Sequence, residues 1–142
     1  MRLLHHSDKP LGLIRSSDQR NRCHWKPEGL WVSVEGADDW RTWCEAENYA
    51  LDCFEFTHEI TLSHAARILR LTSEEEVRSF GRNHANEQYG NIDWKPIAEK
   101  YQGIIITPYQ WTCRFSEQWY YTWDCASGCI WDASAIVKVE RV

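Results

Sequence analysis

Trp25-Lys26-Pro27-Glu28-Gly29-Leu30-Trp31-Val32-Ser33-Val34-Glu35-Gly36-Ala37-Asp38-Asp39-Trp40-Arg41-Thr42-Trp43-Cys44-Glu45-Ala46-Glu47 is the stretch from which the fold is read. Lys26-Pro27-Glu28-Gly29 is turn chemistry, because proline fixes φ and glycine tolerates positive φ. Leu30 to Val34 then reads as a strand whose side chains alternate between faces. A second loop at Glu35-Gly36-Ala37 leads to Asp38 or Asp39, either of which suits a helix N-cap. From Trp40 onward, Trp and Cys at 40, 43 and 44, with Ala46, follow helical spacing. A strand passing through a short loop into an aromatic-lined helix is one way to wall a pocket for a flat ligand. The competing assignment for each of these Trp residues is core packing.

Working outward, Arg2–His6 reads as a first strand ending in two histidines. Ser7-Asp8-Lys9-Pro10 turns the chain, and Leu11–Ile14 is expected to form a short helix. Arg15–His24 is polar and is expected to be a mobile surface loop, its Arg15, Arg20 and Arg22 suited to an acidic or phosphate-bearing partner. Downstream, Cys53–Leu62 alternates as a strand, with Phe54, Phe56, Ile60 and Leu62 on one face. His58 shares that face, which predicts a satisfied core hydrogen bond. Arg67–Leu71 is a further strand. Thr72 with Glu75 and Ser73 with Glu76 are overlapping capping boxes for a helix to about Phe80. Asp93 caps another helix through Tyr101, with Pro96 tolerated in its first turn. Ile104-Ile105-Ile106 is an apolar run of the kind buried on both faces. Pro108–Gln118 reads as a loop, followed by strands at Trp119–Trp123, Gly128–Trp131 and Ala135–Val139. Strands outnumber helices and do not alternate with them, which predicts an α+β domain over residues 1–142.

The chain has 142 residues, enough to bury an independent core. Its nine Trp residues call for indole N–H partners, so several are expected to line a groove. A formal charge of −5 argues against an electrostatic nucleic-acid binder, though not against an enzyme acting on nucleic acid transiently. No apolar run reaches membrane-spanning length, and Met1–His6 is too short and polar for a signal peptide. Cys23, Cys44, Cys53, Cys113, Cys125 and Cys129 include no Cys-x-x-Cys pair, so free thiols in a reducing cytoplasm are expected, with no structural metal. Cys125-x-x-x-Cys129 plus a distant His is the alternative, a zinc site of unspecific spacing.

The glycines fall in neither G-x-G-x-x-G nor G-x-x-x-x-G-K-S/T spacing, and G-x-S-x-G and H-E-x-x-H are absent. Three places remain for chemistry. His5-His6-Ser7 ends the first strand, and Trp31 and Ser33 share a face of theirs. Asp124 sits in a turn before a strand among aromatics, where a carboxylate held by turn amides suits electrostatic work or else only shapes an Asx-turn. Glu117 and Asp132 are the other candidate acids, Asp132 being better suited to capping the turn at Ala133-Ser134.

The order of these pieces resembles an ADP-ribosyltransferase. That family carries His or Arg on a first strand, an aromatic-x-Ser/Thr strand followed by a helix, and a late acidic residue. Leu3-Leu4-His5-His6-Ser7 matches the first motif, His5 the better position. Gly29–Ser33 matches the second, with Trp31 where Tyr is frequent, and Asp124 the third, where Glu is usual. The resemblance implies two small, mostly antiparallel sheets with short flanking helices and NAD in the cleft between them. It implies transfer of ADP-ribose to a protein or nucleic-acid acceptor with release of nicotinamide. His5 and Asp124 would be catalytic; His5, His6, Ser7, Gly29, Leu30, Trp31, Ser33, Trp40 and Trp43 would bind NAD, with a first-strand His toward the adenosine-side ribose. The alternatives are a non-catalytic nucleotide- or protein-binding module of the same fold and an NAD glycohydrolase. A small cytoplasmic monomer of this kind suits a phage-borne or bacterial effector.

Overall fold

A computed structural model describes residues 1–20 and 24–142. Its strands are β1 (Leu3–Ser7), β2 (Leu30–Val34), β3 (Phe56–Leu62), β4 (Ile68–Leu71), β5 (Gly103–Ile106), β6 (Ser127–Ile130) and β7 (Ile136–Arg141). Its α-helices are α1 (Trp40–Glu47), α2 (Glu74–His84) and α3 (Trp94–Lys100). This is an α+β domain. Among the described residues the strands form one mixed sheet in the order β4-β5-β6-β2-β1-β3-β7, in which β4–β5 is parallel and every other pair antiparallel. The parallel pair needs a crossover connection, and α2 and α3 supply it.

The expectation of two separate sheets is corrected: there is one sheet with a short seam. Strands β1 and β2 pair only at Leu3↔Val34 and Leu4↔Ser33, whereas β1–β3 and β2–β6 each have four register pairs. Past Leu4 the ladder is replaced by a side chain, since His5 Nδ1 lies 2.8 Å from the Trp31 carbonyl oxygen. Only an N–H can donate to that carbonyl, so the bond selects the Nδ1–H tautomer and leaves Nε2 as an acceptor.

Local chemistry fixes the helix starts. Asp39 accepts from Thr42 N and caps α1, and Asp93 accepts from Lys95 N and caps α3. Ser73 accepts from Glu76 N and caps α2, while the Glu76 carboxylate reaches back to Thr72, accepting from both its N–H and its hydroxyl. Helix α2 therefore starts as expected but runs past Phe80 to His84.

Aromatic residues build the core against the helices: Trp94, Trp119, Tyr120 and Trp123 are fully buried with Ile104, Ile105 and Ile106. Trp119–Trp123, expected as a strand, is instead a 3-10 turn at Tyr120–Thr122. The turn lets Trp119, Tyr120 and Trp123 all face inward, an arrangement that strict alternation in a strand forbids. Trp94 and Trp131 donate their indole N–H groups to the carbonyls of His24 and Tyr101. Those of Trp119 and Trp123 are buried without a partner among the described residues.

Other expectations also change. Leu11–Ile14 is not helical, and β3 begins at Phe56 because Leu51–Phe54 is a 3-10 turn. Ser16 to Gln19 is not a free loop. Ser16 Oγ accepts from Ala133 N, Ser17 N donates to Trp131 O, and the Gln19 amide brackets the Glu28 main chain. Arg22 and Cys23 lie outside the described residues. His58 is buried opposite His5, yet its Nδ1 has no hydrogen-bond partner among them. Burial, reinforced by His5 and Arg141, pushes that imidazole below its ordinary pKa and keeps it neutral.

Candidate functional site

Where β1 and β2 part, the molecule has a cavity of about 190 Å³. Strand β1 contributes Leu4, His5 and His6, and β2 contributes Trp31, Val32 and Ser33. Trp40 at the start of α1, the Trp123–Cys125 segment and Ser127 complete the walls, together with Lys26 from the turn ahead of β2. Fully enclosing a drug-sized ligand takes roughly 300–1,000 Å³, so this chamber fits one ring and its immediate substituents, with the remainder of a larger ligand outside.

The walls are aromatic and braced from behind. Trp31 meets Trp123 edge-on, with centroids 4.9 Å apart. Trp40 is stacked on Trp43 at 5.1 Å, and Tyr49 packs its edge against both. Ser33 Oγ accepts from Trp40 N at 2.9 Å, which ties the first turn of α1 to β2 and leaves the hydroxyl proton to donate elsewhere. His6 Nδ1 pairs with Thr57 Oγ1 at 2.9 Å, and its ring packs on Phe54, over which Arg41 is placed. Burial first, and the Arg41 charge second, lower the His6 pKa to about 4. The cavity therefore holds this imidazole neutral at physiological pH.

Asp124 faces the cavity, and its carboxylate is held by Arg114 Nη2 at 3.2 Å. The expected turn amides are not its partners; the guanidinium is. Arg114 in turn donates to Tyr109 Oη at 2.8 Å and lies near the rings of Phe115 and Tyr121. Of the nearby aromatics, Trp119 and Trp131 belong to the core, and Trp123, also packed in the core, lines the cavity. Burial drives the Cys125 thiol up to about 12, which keeps it protonated and a poor nucleophile.

Of the anticipated ligand-binding residues, His5, His6, Trp31, Ser33 and Trp40 meet in this cavity with Asp124. Four do not line it. Ser7 Oγ donates to Lys9 O, closing the turn after β1. Gly29 is a packing residue: a Cβ there would lie 2.6 Å from Ile130 O, so only glycine lets β2 begin this close to β6. Leu30 packs against the core, and Trp43 backs Trp40. The other acids are elsewhere. Glu117 pairs with Arg78 at 3.4 Å, and Asp132 accepts from Ser134 N and caps the Ala133–Ala135 turn. Hydrogen bonds from Ser134 chiefly hold the Asp132 carboxyl below its usual range.

Sequence reasoning missed Lys26 and Arg114. Lys26 was absorbed into a turn motif, although a cation three residues before a tight glycine and five before Trp31 is a readable signal. Its ammonium lies 5.1 Å from the Trp31 ring centroid. Burial lowers its pKa while the Asp124 charge opposes the shift. Arg114 carried no local signal, because it meets Asp124 only through the fold of the 107–126 segment.

Searches against protein-family models, curated proteins and solved structures found no match. Among the described residues no helix is long and apolar enough to cross a membrane, and no three His, Cys, Asp or Glu side chains cluster in a metal-holding arrangement.

Proposed function

We propose that this chain is an NAD-dependent ADP-ribosyltransferase of a small α+β type. The observation that supports the reading is the convergence of His5, Trp31, Ser33 and Asp124, distant in sequence, on one aromatic cavity. The nicotinamide ring fits the flat walls of Trp31, Trp40 and Trp123, and the Ser33 hydroxyl and the free Nε2 of His5 are suited to ribose hydroxyls. In the reaction the C1′–nitrogen bond breaks and its electron pair leaves with nicotinamide. The ribose carbon passes through an oxocarbenium-like state, as in glycoside transfer. Asp124 stabilises that cation as it develops, which lowers the barrier without tightening ground-state binding. An acceptor nucleophile on a protein or nucleic acid then bonds to C1′ and loses its proton.

The Arg114–Asp124 ion pair favours a second reading, a non-catalytic nucleotide-binding module, because a neutralised carboxylate exerts a weaker field. Nicotinamide release from NAD separates the two. Release by the wild type that Asp124→Asn abolishes supports catalysis, whereas NAD binding without release supports the binding module. Release at the same rate with and without macromolecular acceptors, leaving free ADP-ribose, identifies a glycohydrolase.

A further inference from the structure

Among the described residues that line the cavity one is a lysine or arginine, Lys26, and it has no carboxylate of its own. Asp124 is engaged by Arg114, and the ion pairs within 4 Å among the described residues do not include Lys26. Lys26 is also the residue shared between the aromatic cavity and a second depression, lined by Gln19, His24, Pro27 and Glu28. Its backbone is fixed on both sides, since two residues ahead His24 exchanges main-chain hydrogen bonds with Ile92. Pro27 is buried with its carbonyl near Cys129 Sγ, and the Gln19 amide clamps the Glu28 main chain. The ammonium therefore stands at a fixed crossing point between a chamber sized for one ring and a polar concavity beyond it.

We infer that Lys26 binds the phosphates of a dinucleotide that crosses from the aromatic cavity into the neighbouring depression. The inference rests on the NAD reading and deepens it by naming the diphosphate contact. A dinucleotide has the matching layout, an uncharged ring system at either end and two anionic phosphates between. A half-buried ammonium without a carboxylate partner gains most from such an anion, since the charge-assisted hydrogen bond replaces solvent that burial has already reduced. The depression beyond contributes Gln19 and His24 as polar groups, and its Glu28 disfavours a second phosphate there, so the anionic part of the ligand stays at the crossing.

The test is calorimetric titration of wild type, Lys26→Met and Lys26→Arg with NAD, ADP-ribose, nicotinamide and inorganic pyrophosphate. Met keeps the methylene stem against Trp31 while removing the charge, and thermal melts check that each variant folds. We expect Lys26→Met to weaken NAD, ADP-ribose and pyrophosphate by about ten- to a hundredfold. Lys26→Arg should recover part of the loss, and nicotinamide affinity should not change. Equal NAD affinity in wild type and Lys26→Met overturns the inference, as does a parallel loss of nicotinamide affinity, which would make Lys26 a prop for Trp31. Pyrophosphate binding that depends on Lys26 in a protein that ignores NAD keeps the anion site and removes the NAD reading. Absence of binding by all four ligands removes both.

Discussion

His5 Nδ1 donates to the carbonyl oxygen of Trp31 across 2.8 Å, at the point where main-chain pairing between β1 and β2 stops. The bond both holds the seam together and fixes which imidazole nitrogen faces the cavity. Its two roles are separable. His5→Asn keeps a side-chain donor near the Nδ1 position, so it should weaken NAD by about tenfold, the worth of one hydrogen bond of about 1.4 kcal/mol, with a melting temperature close to wild type. His5→Ala should lower both. Calorimetry and thermal melts on the two variants check this.

Asp124→Asn should cut turnover by at least about a hundredfold, an effect the size of a lost electrostatic stabiliser, with little change in NAD affinity. Glu117→Gln and Asp132→Asn should be milder, since neither side chain faces the cavity. Steady-state kinetics on the three variants distinguish the positions. Collapse in either of the latter with near-wild-type Asp124→Asn would move the active site.

Stability should fall on mild acidification through His6. Its folded pKa of about 4 lies below the ordinary 6.5, so between those values the unfolded chain binds more protons. The contribution is whole above about pH 6.5 and is lost as pH falls toward 4. Discounted for the half-exposed ring, it amounts to ~1–2 kcal/mol. Burial shifts His58 and His84 in the same direction, so His6→Gln should flatten the pH dependence of the urea midpoint between pH 7 and 5 without abolishing it.

Gly29→Ala should destabilise the fold by about 1–3 kcal/mol, because the methyl group meets the Ile130 backbone and Cys129 Sγ rather than a movable side-chain end. Strand β2 must then shift, carrying Trp31 with it. Loss of NAD affinity in this variant should therefore accompany a lowered melting temperature.

The elements with local punctuation were legible in the sequence. Asp39, Ser73 and Asp93 cap the helices as side-chain chemistry demands, and Leu30–Val34 has strand alternation bounded by turns. Trp119–Trp123 misled because an aromatic-rich run satisfies strand propensity, while tertiary packing turned all its large rings to one side. The cavity residues were readable where they sat on strands, as His5 on β1 and Trp31 on β2 do. Lys26, Arg114 and the single seam at Leu4↔Ser33 were not, because each depends on which distant segment arrives opposite.

The nine Trp residues offer the most direct measurement, because each indole N–H gives its own signal in a two-dimensional nitrogen–proton spectrum. Titration with NAD should shift the indole signals of Trp31, Trp40 and Trp123, which line the cavity, and leave those of Trp119 and the exposed Trp111, which do not, in place. No shift up to millimolar NAD, or shifts confined to tryptophans outside the cavity, would contradict the account.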